Sequence, residues 1–331
     1  MADRKARAPG PTPIDSIEKI PLGGVDQWIS LRSRDTSNPV MLFLHGGPGT
    51  ANISFARRSQ RLLERDFTVV NWDQRGAGRS YSGDLRRQDM TIDRFVTDAE
   101  ELVELLKRRF AQEKIFLVGH SWGSIVGATL VGRRPDLFRA YVGVGQVVHM
   151  QRGEELSYDF TLDEAERRGN ERALLQLKKI GRPPYKDLAS AGVQRKWLGR
   201  FNGATYKGSP VRTLLRYLSL RDTRPLDYVR FIRGAMFSLR CLEDEQTKVD
   251  LLEALPEIEV PVQFCCGRRD YNVPQELVVE YVRELRAPSK RIVWFEMSGH
   301  LPNFEEPAAF SDFCGTVLND TLQERSSPVA S

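Results

Sequence analysis

Six apolar runs of strand length punctuate the chain: Val40–Leu44, Phe67–Trp72, Ile115–Val118, Tyr141–Val144, Val262–Cys266 and Ile292–Phe295. Each is apolar at nearly every position rather than at every second one. A strand of that composition needs cover on both faces, which is the condition inside a parallel sheet flanked by helices. Between the runs lie amphipathic patterns. The clearest spans Thr91 to Phe110, where Ile92, Phe95, Val96, Ala99, Leu102, Val103, Leu106 and Phe110 recur at spacings of three and four, with Thr91 placed to cap the helix. Strand and helix in alternation predict a wound α/β sheet.

The alternation stops between Val148 and Leu255. That stretch reads as helices and loops, with Thr161-Leu-Asp-Glu164 in the form of a capping box and Gly181-Arg-Pro-Pro184 ending a helix over Ala173–Ile180. An insertion at this point in a wound sheet sits over the carboxyl ends of the strands, where such folds bind ligands, and acts as a lid. The expected layout is a core of residues 15–147 and 256–320, a helical cap of 148–255, and flexible ends at 1–14 and 321–331.

Composition removes several classes. The chain of 331 residues carries 49 Lys+Arg against 44 Asp+Glu, a balance of +5 spread along its length, so nothing marks a surface for a row of phosphates and no nucleic-acid partner is expected. No run approaches the ~18 apolar residues of a membrane span, and the basic N-terminus is followed by no apolar stretch. A soluble cytoplasmic protein with no membrane partner is expected. The four cysteines, Cys241, Cys265, Cys266 and Cys314, have no C-x-x-C spacing and are too few for a disulfide scaffold, so they read as reduced and structural.

Chemistry concentrates at strand ends. Gly119-His-Ser121-Trp-Gly123 joins the run Ile115–Val118 to a helical pattern, and the turn there is so tight that only small residues can flank the serine, which drives the Ser121 hydroxyl outward beside the N–H of Trp122. A serine nucleophile needs a base, and the chain has four histidines: His45, His120, His149 and His300. His45 ends a strand, His120 points away within the elbow, and His149 opens the insertion. His300, in the loop after the last strand, is the candidate base. The acid that holds its tautomer should lie between 121 and 300. Asp270 directly follows Val262–Cys266 and so reaches the same sheet edge; Asp244 and Asp250 belong to the insertion and are weaker choices. The competing reading of Asp270 is a turn aspartate capping a helix near Pro274.

A developing oxyanion needs a second N–H beside that of Trp122. His45-Gly-Gly-Pro-Gly49 follows the run Val40–Leu44 and lets backbone approach a substrate closely, so Gly47, with Gly46 as the alternative, is the expected donor. A phosphate loop is the rival reading, but the Lys-Ser/Thr ending is missing.

With these motifs in order, the sequence resembles the proline iminopeptidase-like branch of the α/β-hydrolase superfamily, over roughly residues 16 to 318. The resemblance rests on His45–Gly49, Asp73-Gln-Arg-Gly-Ala-Gly-Arg-Ser80, Gly119–Ser124, Gly267–Asp270 and Ser298–His300. It implies an α/β-hydrolase fold with a helical cap, a Ser121–Asp270–His300 triad, no cofactor and no metal. His45, Asp73 and Arg75 would support the site from behind, the latter two through buried charge pairing. The substrate class is an amide or ester of a small molecule or short peptide, opened through an acyl-enzyme, with an aminopeptidase or aminoacyl amidase as the leading expectation.

Family aminopeptidases hold a substrate ammonium with cap glutamates in Trp-x-x-Trp-Glu and Glu-Asn-His-Tyr-Phe contexts, and neither occurs here. Glu154 and Glu155 are the candidates for that role, among other cap acids at Asp159, Glu243, Asp244 and Glu245. The alternatives are a carboxylesterase or lactone hydrolase and, in a different class, a non-catalytic ligand-binding relative. Serine at position 121, where a dehalogenase or epoxide hydrolase would carry aspartate, argues against those two activities.

Overall fold

The computed structural model describes residues 11–206, 208 and 225–326. Its centre is an eight-stranded sheet of β1 (Ile14–Leu22), β2 (Val25–Ser33), β3 (Val40–Leu44), β4 (Thr68–Asp73), β5 (Ile115–His120), β6 (Phe138–Val144), β7 (Val262–Gly267) and β8 (Lys290–Phe295). The spatial order is β1-β2-β4-β3-β5-β6-β7-β8. From β4 to β8 every pairing is parallel, as the continuous apolar runs predict. Along β3, Leu42 and Leu44 face one core and Met41 and Phe43 the other, which is why no position in that run is polar.

The first two strands were not expected from the sequence. They form an antiparallel hairpin on Gly23 and Gly24, whose φ of +58° and +78° suit the twisted two-residue turn, and β2 then pairs antiparallel with β4. Much of β1 is only half-buried, so it lacks the continuous apolar signature of the inner strands.

Eleven helices accompany the sheet among the described residues: α1 (Ile53–Ser59), α2 (Ile92–Arg109), α3 (Trp122–Arg133), α4 (Met150–Arg167), α5 (Glu171–Ile180), α6 (Leu188–Arg200), α7 (Pro225–Gln246), α8 (Leu251–Ala254), α9 (Gln275–Glu284), α10 (Pro302–Glu305) and α11 (Pro307–Ser326). Thr91 caps α2, its side chain accepting from the Arg94 N–H. The capping box expected at Thr161 is not one. Thr161 lies inside α4, where its hydroxyl donates to the Ser157 carbonyl one turn back, and His149 occupies the N-cap. Gly181, at φ +75°, does end α5.

Helices α4, α5 and α6 close a small core of their own around Tyr158, Ala165, Ala173, Leu177, Trp197 and Phe201. The chain enters and leaves this region through one short antiparallel contact, Met150 N–H to Val249 O and Leu251 N–H to Val148 O. Of the ends expected to be flexible, residues 1–10 and 327–331 lie outside the described residues; Ile14 already opens β1, and α11 runs on to Ser326. Among the described residues all four cysteines are free thiols, and no helix is long and apolar enough to cross a membrane.

The connection from β3 places β4 on one side, whereas β5 lies on the other. Strand order therefore reverses at β3 and β5, and the crevice outside their carboxyl ends is where an open α/β sheet binds ligand. His45–Gly49 and Ser121 follow those two strands directly.

Candidate active site

Ser121 sits between β5 and α3 with φ +53° and ψ −120°, a conformation that costs a non-glycine residue about 1–3 kcal/mol and persists only where the surroundings enforce it. They do so through the two flanking glycines. A Cβ on Gly119 would lie 2.6 Å from the Gly123 carbonyl oxygen, and one on Gly123 would lie 2.2 Å from the Leu44 carbonyl oxygen, a backbone atom that cannot move aside. The turn is tied further by Ser121 N–H to Val144 O at 3.0 Å and by Ser124, whose hydroxyl donates to Ser121 O at 2.5 Å and accepts from Val147 N–H.

His300 and Asp270 arrive from the loops after β8 and β7. The imidazole Nδ1 lies 2.8 Å from Asp270 Oδ2; an ionised carboxylate only accepts, so the proton is on Nδ1 and Nε2 is left free to take one. Asp270 is 2% exposed and His300 9%. The other carboxylate oxygen, Oδ1, accepts from the N–H groups of Asn272 and Val273, so the turn role and the histidine role fall on separate oxygens. Ser121 and His300 each adjoin the carboxyl end of β6. The Val144 carbonyl accepts from Ser121, and a side chain on the next residue, Gly145, would land 2.8 Å from the His300 ring.

The loop carrying His300 is held from four directions. His300 N–H donates to Ala204 O in the segment after α6, His120 Nε2–H donates to His300 O at 2.9 Å, Gly299 N–H donates to Glu305 Oε2, and the Ser298 hydroxyl donates to Glu306 Oε2. Glu305 also accepts from Tyr206 N–H, so one half-buried carboxylate, its pKa raised by partial burial, binds both the His300 loop and the segment after α6. Tyr271, next to Asp270, donates its N–H to Gly203 O and stacks on Phe160 of α4 at 3.6 Å. Sequence reasoning missed Ala204, Glu305 and Glu306. Only the glutamates left a trace, as acids just past the Ser298–His300 motif.

The glycine loop after β3 lies against the nucleophile. A Cβ on Gly46 would sit 3.1 Å from Ser121 Cβ and 3.0 Å from His120 Nδ1. The Gly46 carbonyl accepts from His45 Nδ1–H at 2.8 Å and from Thr50 N–H at 3.2 Å. Because a trans peptide sets its N–H opposite its C=O, fixing that carbonyl also aims the N–H of Gly47. Gly47 has φ +125°, which requires glycine. Among the described residues nothing accepts a hydrogen bond from the backbone N–H of Gly47 or Trp122.

His45 is fully buried and its pKa is pushed down to about 4 by burial, so the ring is neutral. Its Nε2 accepts from Gln74 N–H at 3.1 Å, which assigns the proton to Nδ1. Burial likewise pushes His120 down to about 3. Both behind-site histidines are therefore uncharged hydrogen-bonding groups at neutral pH.

The buried charge pairing that the resemblance implied for Asp73 and Arg75 is not between these two residues. Arg75, 2% exposed, forms a two-point ion pair with Asp98 of α2, Nε to Oδ2 at 2.8 Å and Nη2 to Oδ1 at 3.0 Å, and also donates to Gly23 O. Asp73 accepts from the N–H groups of Ile53 and Arg79, organising the turn after β4, and burial raises its pKa to about 6. The Asp73 carboxylate is taken up by the N–H groups of Ile53 and Arg79, and Asp98 on α2 supplies the carboxylate that meets Arg75.

Of the acids expected to meet a substrate ammonium, Glu154 is bound by Arg195 of α6 and Glu155 accepts from Gln151 on its own helix. Arg79 and Asp227, at 3.2 Å, tie the turn after β4 to α7. Among the described residues no group of three His, Cys, Asp or Glu is arranged to hold a metal ion.

An open, mostly parallel sheet with a strained serine turn after its central strand defines a class, and the family comparison agrees. Residues 39–307 match the model of the alpha/beta hydrolase fold, and the chain belongs to that family. Its curated relatives include the probable aminopeptidase YbaC of Bacillus subtilis (strain 168), 35% identical over 301 residues covering 90% of this chain and 95% of the relative. The proline iminopeptidase of Heyndrickxia coagulans is 24% identical over 292 residues, covering 84% and 90%. Among solved structures, that of VinJ matches with a TM-score of 0.69 at 20% identity, covering 92% of this chain and 99% of the other, a likeness of fold.

Proposed function

We propose that this chain is a serine hydrolase that opens an amide or ester through an acyl-enzyme, with Ser121 as nucleophile, His300 as general base and acid, and Asp270 as the group that holds the imidazole. The observation that carries the reading is the His300 Nδ1 to Asp270 Oδ2 contact at 2.8 Å beside a serine held at φ +53°. Ser121 Oγ attacks the carbonyl carbon as its proton passes to His300 Nε2. The resulting oxyanion is received by the N–H groups of Gly47 and Trp122. Collapse expels the leaving group, which takes the proton from His300, and leaves an ester on Ser121. Water then repeats the cycle, its proton moving to His300 and back to the Ser121 oxygen as the acid departs.

The substrate we infer is an aminoacyl amide or short peptide with a free amine, by analogy with the aminopeptidase and proline iminopeptidase names of the two relatives. Helices α4 to α7 act as the lid over it, in keeping with their place between β6 and β7. One observation favours the ester reading: Glu154 is already paired with Arg195, which leaves that acid poorly suited to a substrate ammonium.

Hydrolysis of Pro, Ala and Leu anilides and of matched short-chain phenyl esters by wild type and Ser121→Ala decides between the readings. Ser121-dependent cleavage of anilides, lost when the amine is acetylated, is the expected result. Ester cleavage alone would replace the aminopeptidase with an esterase. Equal activity in Ser121→Ala would remove the mechanism.

A further inference from the structure

Gln74 is 0% exposed and touches no position where a substrate atom would react, yet it reaches both sides of the proposed oxyanion site. We propose that Gln74 is a positioning residue that aligns the N–H groups of Gly47 and Trp122 with each other; the inference rests on the serine-hydrolase reading above. Three hydrogen bonds carry it. The Gln74 N–H donates to His45 Nε2 at 3.1 Å, its side-chain Nε2 donates to the His45 carbonyl at 2.9 Å, and its Oε1 accepts from the Trp122 indole Nε1–H at 3.1 Å.

Each bond acts on a donor at one remove. The N–H to His45 Nε2 forces the imidazole proton onto Nδ1, which then holds the Gly46 carbonyl and so sets the direction of the Gly47 N–H. The indole bond pins the side chain of Trp122, whose own backbone N–H is the other donor and whose ring already packs edge-on against Phe95 at 5.4 Å. The His45 carbonyl that Gln74 grips is the same atom a Cβ on Gly123 would meet at 2.7 Å, so the amide sits at the seam between the glycine loop and the first turn of α3. Two donors from elements 75 residues apart in sequence must converge within a few tenths of an ångström for an oxyanion to accept from both. Gln74 spans that seam. A glutamine used only as filler would satisfy its amide locally, and an apolar side chain of equal volume would serve as well.

The test uses a fluorophosphonate probe, which needs no knowledge of the natural substrate. Ser121 Oγ bonds to phosphorus as the P–F bond breaks, fluoride leaves, the hydroxyl proton passes to His300, and the phosphoryl oxygen takes its developing charge into the oxyanion site. Intact-mass spectrometry follows the inactivation constants of wild type, Gln74→Met and Trp122→Phe. Methionine keeps the volume and removes both side-chain bonds; phenylalanine keeps an aromatic ring against Phe95 but removes the indole N–H together with the pyrrole half of the side chain, so thermal stability is measured beside the labelling rate. Loss of one donor costs ~10²–10³-fold and a misplacement costs up to ~10²-fold, so Gln74→Met is expected to slow the maximal labelling rate by about 10–100-fold with the probe's half-saturation concentration unchanged. Trp122→Phe should lose about 5–10-fold, and less than that again in the Gln74→Met background, because the two variants break the same bond. A change in thermal stability without a change in labelling rate would reduce Gln74 to a structural residue and overturn the proposal. If Gln74→Met fails to fold, an unaltered labelling rate in Trp122→Phe overturns it equally. Absence of wild-type labelling at Ser121 would instead remove the serine-hydrolase reading, and this inference with it.

Discussion

Two neutral histidines buried behind the site make the fold sensitive to acid, and the size of the effect follows from their surroundings. Burial holds His45 down to about 4 and His120 down to about 3, against an ordinary value of 6.5 in the unfolded chain. Between the two limits the unfolded chain binds a proton that the native state refuses, so stability is fully present above pH 6.5 and is lost as the pH falls. At pH 5 each ring has lost about 1.5 pH units at ~1.36 kcal/mol per unit, or about 2 kcal/mol, and the pair about 4 kcal/mol. Asp73 opposes them. Its native pKa of about 6 lies above the ordinary 3.8, so the native state gains a proton first, returning about 1.4 kcal/mol between pH 7 and pH 5. The loss from these three groups together, about 2–3 kcal/mol, is a substantial part of the ~5–15 kcal/mol that holds a domain together.

Other titrating groups cancel in a comparison of variants. His120→Gln keeps a donor for the His300 carbonyl and removes one titrating ring. Urea unfolding of wild type and His120→Gln at pH 7 and pH 5, followed by tryptophan fluorescence, should show the variant losing about 2 kcal/mol less than wild type over that interval. Equal losses in the two proteins would refute the reasoning, since His120 would then be protonated in the native state or accessible to water.

Three further outcomes are expected. Asp270→Asn should lower kcat by ~10³–10⁴-fold with little change in KM, because the amide misplaces the imidazole proton without altering substrate contacts, and steady-state kinetics on any turned-over anilide or ester checks it. Asp98→Ala should cost ~3–5 kcal/mol in urea unfolding by leaving Arg75 buried without its carboxylate, and Arg75→Met combined with Asp98→Leu should recover most of that loss. Gly192→Ala, in the exposed interior of α6 with open space around the new methyl, should raise stability by ~0.5–1 kcal/mol in the same assay, and a loss would refute the reading of position 192 as an unconstrained helix interior.

What the sequence disclosed depended on how local the physical cause was. The inner strands were legible because burial on both faces forces apolar residues at consecutive positions, as at Val40–Leu44 and Ile115–Val118. The β1–β2 hairpin was not, because β1 is mostly half-buried and β2 sets polar residues such as Gln27, Ser30 and Ser33 at buried positions; its Gly23-Gly24 turn was the available signal. Thr161 shows the limit of a short pattern, since Thr-x-x-Glu reads as a helix start and yet sits within one. The serine turn was legible because its steric demand falls on residues two positions away. The partner of Arg75 was not, because Asp98 lies on another element and only the packing of α2 against the sheet brings them together. The role of Gln74 was not legible either, since its three bonds run to residues from two other segments.

The claim that everything else leans on is that Ser121 becomes acylated. Wild type mixed with a short-chain p-nitrophenyl ester, quenched in acid within milliseconds and digested, should carry the acyl group on the peptide containing Ser121, with a burst of nitrophenol approaching one per chain. Ser121→Ala should show neither. An acyl group mapped to another residue, or a burst of equal size in Ser121→Ala, would contradict the account.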